Sequence, residues 1–166
     1  FPSPTGLNEN LAREILELHT LGVNGGYTQA DVTEFARVLT GWTVGRAASP
    51  GFLFDPARHE PGPRTLLGRT YAQDGMAQGE AVLRGLAAHA ATALHGATKL
   101  ARHFIADQPP ADSVERIRAA WVKSNGDLIA IHTAVIDEVL TKAPDNPKFM
   151  TPENWLLQSF VVTGVP

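Results

Sequence analysis

The chain has 166 residues, of which 43% are hydrophobic, a size and composition that support a single domain with its own core. It contains no cysteine, which excludes disulfides, thiolate metal ligands and cysteine nucleophiles. Its 14 basic and 17 acidic residues are interspersed, so the net charge of −3 creates no positive field that would favour nucleic acid.

Neither a membrane span nor a secretion signal is predicted. No stretch approaches the roughly 18 consecutive apolar residues that a spanning helix requires. The segment Phe1–Pro4 lacks the basic and apolar regions of a leader.

Two helices are predicted at the start of the chain. Apolar residues at three- and four-residue steps predict the first helix from Asn8 to Leu21, with Gly22 as its stop. Thr28 and Asp31 form a capping signature for a second helix that ends near Gly41. Because the link between them is short, we expect an antiparallel pair.

The segment from Gly45 to Asp74 has no helical period and contains four prolines. Residues 52–54 and 65–67 have the composition of short extended arms, so an ordered loop with a small β-hairpin is predicted.

Helices are predicted again over the rest of the chain, with breaks at Asp107–Pro110, Ser124–Gly126 and Ala143–Pro147. They cover about 76–89, about 90–105, a segment through Val114, Ile117 and Trp121, a segment from Leu128 to Val139, and a last one from Thr151 to near Gly164. The predicted fold class is therefore all-α, a compact array of six or seven helices in one domain over residues 1–166.

Several runs of residues together resemble a bacterial family, the uncharacterised domain of unknown function 1800. The runs, in chain order, are Asn8–Glu14, Glu17–Val23, Gly26–Thr28, Leu39–Trp42, Phe54–His59, Pro61–Pro63, Leu67–Gly68, Lys99–Phe104, Gly126–Leu128 and Thr151–Glu153.

The resemblance implies no established activity. It implies a longer protein of which this chain is a central portion without its N- and C-terminal parts, and it suggests export to the periplasm or the envelope. Ala90 stands where the family usually has a proline, which affects the junction after His89.

Glu14 is the first candidate functional residue. At about 100° per residue it falls within the apolar arc of helix one, with His19 at the border of that arc. A buried carboxylate requires a partner, so Glu14 is either a general acid/base or metal ligand, or a structural carboxylate that joins the proline-rich loop to the helices. The structural interpretation is the favoured one.

His59 and Asp55 lie in the loop and are further candidates, because ordered loops often carry function. Together with Glu14 and His19 they have the ligand atoms for a divalent metal, but no metal-binding spacing is present and no metal is predicted. Asp55 before Pro56 is also typical of a turn residue that binds its own backbone.

Candidate binding residues follow one stripe of a later helix, namely His95, Lys99 and Arg102. A solvated face is the ordinary interpretation and an anion or partner contact is the alternative. His132 is expected in the core, as are Trp42, Trp121 and Trp155.

No serine-hydrolase elbow, phosphate-binding loop or dinucleotide fingerprint is present. We therefore predict a noncatalytic helical scaffold or partner-binding portion of a larger envelope-associated protein, without a cofactor. The expected partner is another protein or the rest of its own chain. The alternative is a hydrolase-like or metal-dependent enzyme with a polar site between helix one and the proline-rich loop.

Overall fold

The computed structural model describes residues 7–45, 51–142 and 150–164. Within these ranges the fold is mostly helical, with seven α-helices and two small antiparallel strand pairs, so it is not purely all-α. The chain divides into two compact units, Phe1–His95 and Gly96–Pro166. No helix of the described residues is long and apolar enough to cross a membrane.

The first helix is α-helical only in its first half. Helix α1 covers Glu9–Glu14, and the chain then continues as a π-helix over Ile15–Thr20. The π-helix closes its turns through bonds five residues apart, as the Leu21 amide does to the Leu16 carbonyl. Each turn therefore contains more residues than an α-helical turn, which changes the direction of every later side chain.

Helix α2 covers Gln29–Val38 and begins at the predicted capping box. The Thr28 hydroxyl accepts a bond from the Asp31 amide, and the Asp31 carboxylate accepts one from the Thr28 amide. This confirms the predicted start of the helix.

The loop after α2 carries two hairpins rather than the single one predicted. Strand β1, Trp42–Val44, pairs with β2, Phe52–Phe54, while β3, Arg64–Leu66, pairs with β4, Arg69–Tyr71. The two predicted arms thus belong to different hairpins, because each pairs with a strand close to it in sequence.

The turn of the second hairpin is the tight two-residue link Leu67–Gly68. Both residues have positive φ, 52° and 74°, as type I′ turns require. Leucine rarely adopts this conformation, so the sequence carried no Asn-Gly signal from which the turn could have been predicted.

Helix α3, Met76–Ala87, follows the two hairpins in the first unit. The core of this unit is formed by buried residues of the first two helices, β3, β4 and α3. They are Ala12, Leu16, Leu21, Val32, Phe35, Ala36, Val38, Leu39, Leu66, Tyr71, Val82 and Leu86. Gln78 is also fully buried, and its amide nitrogen donates to the carbonyl oxygens of Tyr71 (2.9 Å) and Gly62 (3.0 Å).

Helix α4 covers Ala90–Phe104. A break between α3 and α4 is present although Ala90 replaces the usual proline. The His89 side chain accepts a bond from the Ala91 amide (3.1 Å), which satisfies a free donor at the start of α4.

The second unit contains α5, Ala111–Lys123, α6, Leu128–Lys142, and α7, Pro152–Thr163. Its buried apolar residues come from α4 to α6 and the turn after α4: Ala97, Ala101, Ile105, Ala106, Ile117, Ile131 and Val135. None of the described residues of α7 is buried. The predicted break at Ala143–Pro147 lies outside the described residues.

Glycine at position 79 allows Trp42 to pack against α3. A Cβ atom at Gly79 would lie 2.5 Å from the Trp42 ring. We expect Gly79→Ala to lower the free energy of unfolding by about 1–3 kcal/mol through overpacking, although alanine is the better helix former. Chemical denaturation measures this change. In the Trp42→Phe background the loss should be smaller, and a more stable single variant would contradict the packing.

Candidate functional site

Glu14 and His19 are both exposed, so the prediction that they point into the interior is wrong. The buried positions of helix one are Ala12 and Leu16, while Leu11 is 42% exposed. The inward face is thus shifted by one residue from the predicted arc, and the π-helix shifts it further after Ile15. An exposed carboxylate does not require a partner, and this removes the physical reason for a site at Glu14.

Asp55 acts as a turn residue, which was the alternative interpretation of this position. Its Oδ1 accepts a bond from the Ala57 amide (3.1 Å) at the start of the 3-10 helix Pro56–Arg58. Its Oδ2 lies 3.2 Å from the Arg58 Nε. The carboxylate thus stabilises its own turn.

His59 joins the loop to the end of α2. Its Nδ1 lies 3.0 Å from the Thr40 carbonyl oxygen, a contact that places the proton on Nδ1 because a carbonyl only accepts. The Glu60 amide donates to the Thr40 hydroxyl (2.8 Å). Gly41 leaves no room for a side chain here, since a Cβ atom would lie 2.7 Å from the Asp55 carbonyl oxygen and 3.2 Å from the His59 Cβ.

The Asp31 carboxylate accepts three hydrogen bonds, and the sequence indicated only its capping role. Its Oδ1 accepts a bond from the Leu67 amide (2.7 Å), 36 residues away. Burial raises the pKa of Asp31, but bonds from Leu67 and from the Thr28 hydroxyl and amide outweigh it and hold the pKa below 3.8. The charged carboxylate therefore fixes the strained turn against α2.

Four charged side chains form a second link between α2 and the loop. Arg64, whose side chain is 15% exposed, lies 3.6 Å from Glu34 and 3.5 Å from Glu60. Arg37 lies 3.5 Å from the same Glu34 and 3.9 Å from the same Glu60. Because each carboxylate faces two guanidinium groups, this arrangement is typical of a structural ion-pair network.

A small cavity lies where the alternative enzyme site was predicted, between helix one and the loop. Its volume is about 90 Å³, and its lining residues are Leu7, Asn8, Leu11, Ala36, Leu39, Thr40, Gly41, Trp42, Thr43 and Arg58. None of Glu14, His19, Asp55 and His59 lines it. Ligand sites usually measure roughly 300–1,000 Å³, so this cavity does not support an enzyme site.

The structure does not bring the four catalytic candidates together in one cavity. Across residues 7–45, 51–142 and 150–164, no group of three or more His, Asp or Glu side chains is placed to hold a metal ion. A catalytic role for these residues stays a prediction that no geometry supports.

The candidate binding residues differ in their surroundings. His95 packs beside Gly22, and its Nε2 lies 3.4 Å from the Leu18 carbonyl oxygen. Lys99 and Arg102 are exposed. A binding role for this stripe stays a prediction.

His132 and Trp155 are exposed, so their expected places in the core are wrong, whereas Trp42 and Trp121 pack against the two cores. Helix α6 is apolar around most of its circumference, which is why His132 looked buried by periodicity. Its neighbours Ile136 and Leu140 are also exposed, at 57% and 73%.

These exposed residues belong to an apolar groove between α4 and α6, which we call the α4–α6 groove. It has a volume of about 410 Å³ and is lined by Leu100, Phe104, His132, Val135, Ile136, Val139 and Leu140. Its lining is apolar except for His132, so it lacks the converging polar groups that orient a small ligand.

An ion pair joins the other face of α6 to α5. The guanidinium of Arg116 forms a bidentate pair with the buried carboxylate of Glu138, with one contact at 2.9 Å, and also binds Asp112 at 2.8 Å. The bond from Arg116 lowers the pKa of Glu138 below its ordinary 4.5, against the effect of burial. This pair orients α6 so that its groove side faces outward.

The described part of the chain is thus mostly helical, with Asp55 and His59 bonded to turns and helix ends and with an open apolar groove. A family model described as "Protein of unknown function (DUF1800)" matches residues 2–163. Because the match spans nearly the whole chain, the chain belongs to this family, which confirms the resemblance. Comparison with curated proteins and with solved structures gave no match.

We expect Asp31→Asn to lower the free energy of unfolding by about 1–2 kcal/mol, because one amide oxygen cannot serve both Leu67 and Thr28. Thermal or chemical denaturation measures this change. The matched control is Glu14→Gln, which should leave the melting temperature unchanged because Glu14 is exposed. A large loss for Glu14→Gln and none for Asp31→Asn would reverse this assignment.

The pair of Arg116 and Glu138 predicts a loss of stability in acid. A carboxyl group whose pKa is lowered by folding stabilises the protein above its unfolded pKa, here about 4.5, and loses that contribution as the pH falls through the folded value. Glu138→Gln should therefore have a lower melting temperature than the unaltered protein at pH 7. Its melting temperature should also decline less between about pH 5 and about pH 3. Identical pH profiles would contradict the role of the pair.

Proposed function

We propose that this chain is a noncatalytic helical scaffold that binds an apolar helix in the α4–α6 groove, as a portion of a longer bacterial protein. The observation that carries the proposal is the groove itself, whose lining side chains leave Phe104, Ile136 and Leu140 at least half exposed. An exposed apolar patch of this kind in a soluble unit is typical of a contact surface.

A helix is the occupant that best fits the shape and chemistry of the groove. Its walls are two neighbouring helices, and the groove residues of α6 recur at three- and four-residue steps, at His132, Val135, Ile136, Val139 and Leu140. Ridges at this spacing accept the side chains of a third helix. A helix also forms its backbone hydrogen bonds internally. This suits an apolar groove, which offers no partners for backbone groups.

The charged residues of the first unit support a scaffold rather than an enzyme. The contacts of Asp31, Asp55 and His59 are to turns and helix ends. Such contacts fix a loop in place.

The proposal predicts that the groove is covered in solution. The chain has no cysteine, so single cysteines report local access without background. Ile136→Cys in the groove should react with a thiol reagent about tenfold more slowly than Ile129→Cys on the same helix. This is the ratio expected if the groove is occupied in about nine molecules of ten and only the open molecules react. Ile129 lies outside the groove lining and is 78% exposed.

Both variants should react at the same rate in denaturant, which controls for intrinsic reactivity. Ile129 and Ile136 are both exposed when the groove is empty. Equal reaction rates in the folded protein would therefore mean that the groove is open, which would contradict the proposed function.

A further inference from the structure

We propose that helix α7 of the same chain is the helix that occupies the α4–α6 groove. This inference rests on the proposed function and names the occupant of its groove. Both partners, the groove and α7, belong to the second unit, Gly96–Pro166.

Helix α7 is apolar around its whole circumference. Its large apolar side chains are 43–84% exposed: Trp155, Leu156, Leu157, Phe160, Val161 and Val162. At about 100° per residue these side chains point in every direction around the axis. A helix with this pattern is stable in water only when other surfaces cover it.

The hydroxyl groups of α7 do not oppose such burial. The hydroxyl of Ser159 donates to the Trp155 carbonyl (2.8 Å), and that of Thr163 donates to the Ser159 carbonyl (2.6 Å). Both hydroxyls are therefore satisfied within the helix and would not be left without a partner on docking. The only charged residue of α7 is Glu153, in its first turn, where the helix dipole favours a carboxylate.

The chain length allows α7 to reach the groove. The groove extends to Leu140, two residues before α6 ends at Lys142, and α7 begins at Pro152. The nine residues 143–151 span up to about 30 Å, whereas the groove residues of α6 extend over about 12 Å. Helices joined by short links usually pack as antiparallel neighbours, so α7 would run back along α6.

The competing occupants are α7 of a second copy and another segment of this chain. The intramolecular arrangement is favoured because the linked helix is present at a high effective concentration, whereas a separate helix is not.

A paramagnetic label distinguishes these occupants. Gln158 is exposed and polar, so Gln158→Cys accepts a nitroxide without removing any apolar side chain from α7. In the full chain the label should broaden the methyl signals of Val135, Ile136, Val139 and Leu140 in the groove, relative to the same sample after reduction of the nitroxide.

A mixed sample then tests for a second copy. It contains equal amounts of nitroxide-labelled protein at natural isotope abundance and unlabelled protein enriched in ¹³C. The expected result is no broadening of groove signals in the mixture. Broadening there would assign the groove to α7 of a second copy and overturn the inference.

A second variant separates this inference from the proposed function. Phe160→Lys, which places a charge on α7, should abolish both the broadening and the slow reaction of Ile136→Cys. Slow reaction of Ile136→Cys without broadening in either sample would keep the proposed function and overturn α7 as the occupant. Fast reaction of Ile136→Cys in the unaltered chain would contradict the proposed function itself.

Discussion

The architecture of the first unit depends on the carboxylate of Asp31. One oxygen closes the capping box with Thr28, and the other binds the amide of Leu67, a leucine in a left-handed conformation. Left-handed backbone costs an L-residue roughly 1–2 kcal/mol, and a charge-assisted bond of 2.7 Å offsets a cost of that size. A single side chain thus starts α2 and holds the second hairpin against it, and the ion pairs of Arg64 and the contact of His59 support the same link.

Most helices could be predicted from the sequence, because their signals are local. The capping box at Thr28 and the proline at position 152 mark helix starts that the structure confirms. The second hairpin could not be predicted, because its turn is stabilised by a bond to a residue 36 positions earlier. The inward face of helix one was wrong for a different reason. The small Ala12 is buried in α1 while the larger Leu11 is exposed. After Ile15 the π-helix also changes the number of residues per turn.

The candidate site was predicted less well than the fold. The sequence placed Glu14, His132 and Trp155 inside, and all three are exposed. Periodicity predicts which side of a helix is apolar but not whether another surface covers that side. The apolar residues of α6 and α7 were therefore predicted to lie in a core. The polar candidates Asp55 and His59 were correctly associated with the proline-rich loop, but their contacts are those of turn residues. The α4–α6 groove combines residues of two helices, which no single-helix pattern reveals.

The π-helical stretch has a consequence for tolerance to changes in chain length. A π-helical turn contains more residues than an α-helical turn of nearly the same length along the axis, as the bond from the Leu21 amide to the Leu16 carbonyl shows. Loss of one residue between Ile15 and Thr20 is therefore absorbed by reversion to ordinary α-helical winding, and Gly22 still follows at the end. The same deletion inside α2 would rotate Phe35 out of the core. Natural variation in helix length among family members is accordingly expected at this stretch and not in the neighbouring helix.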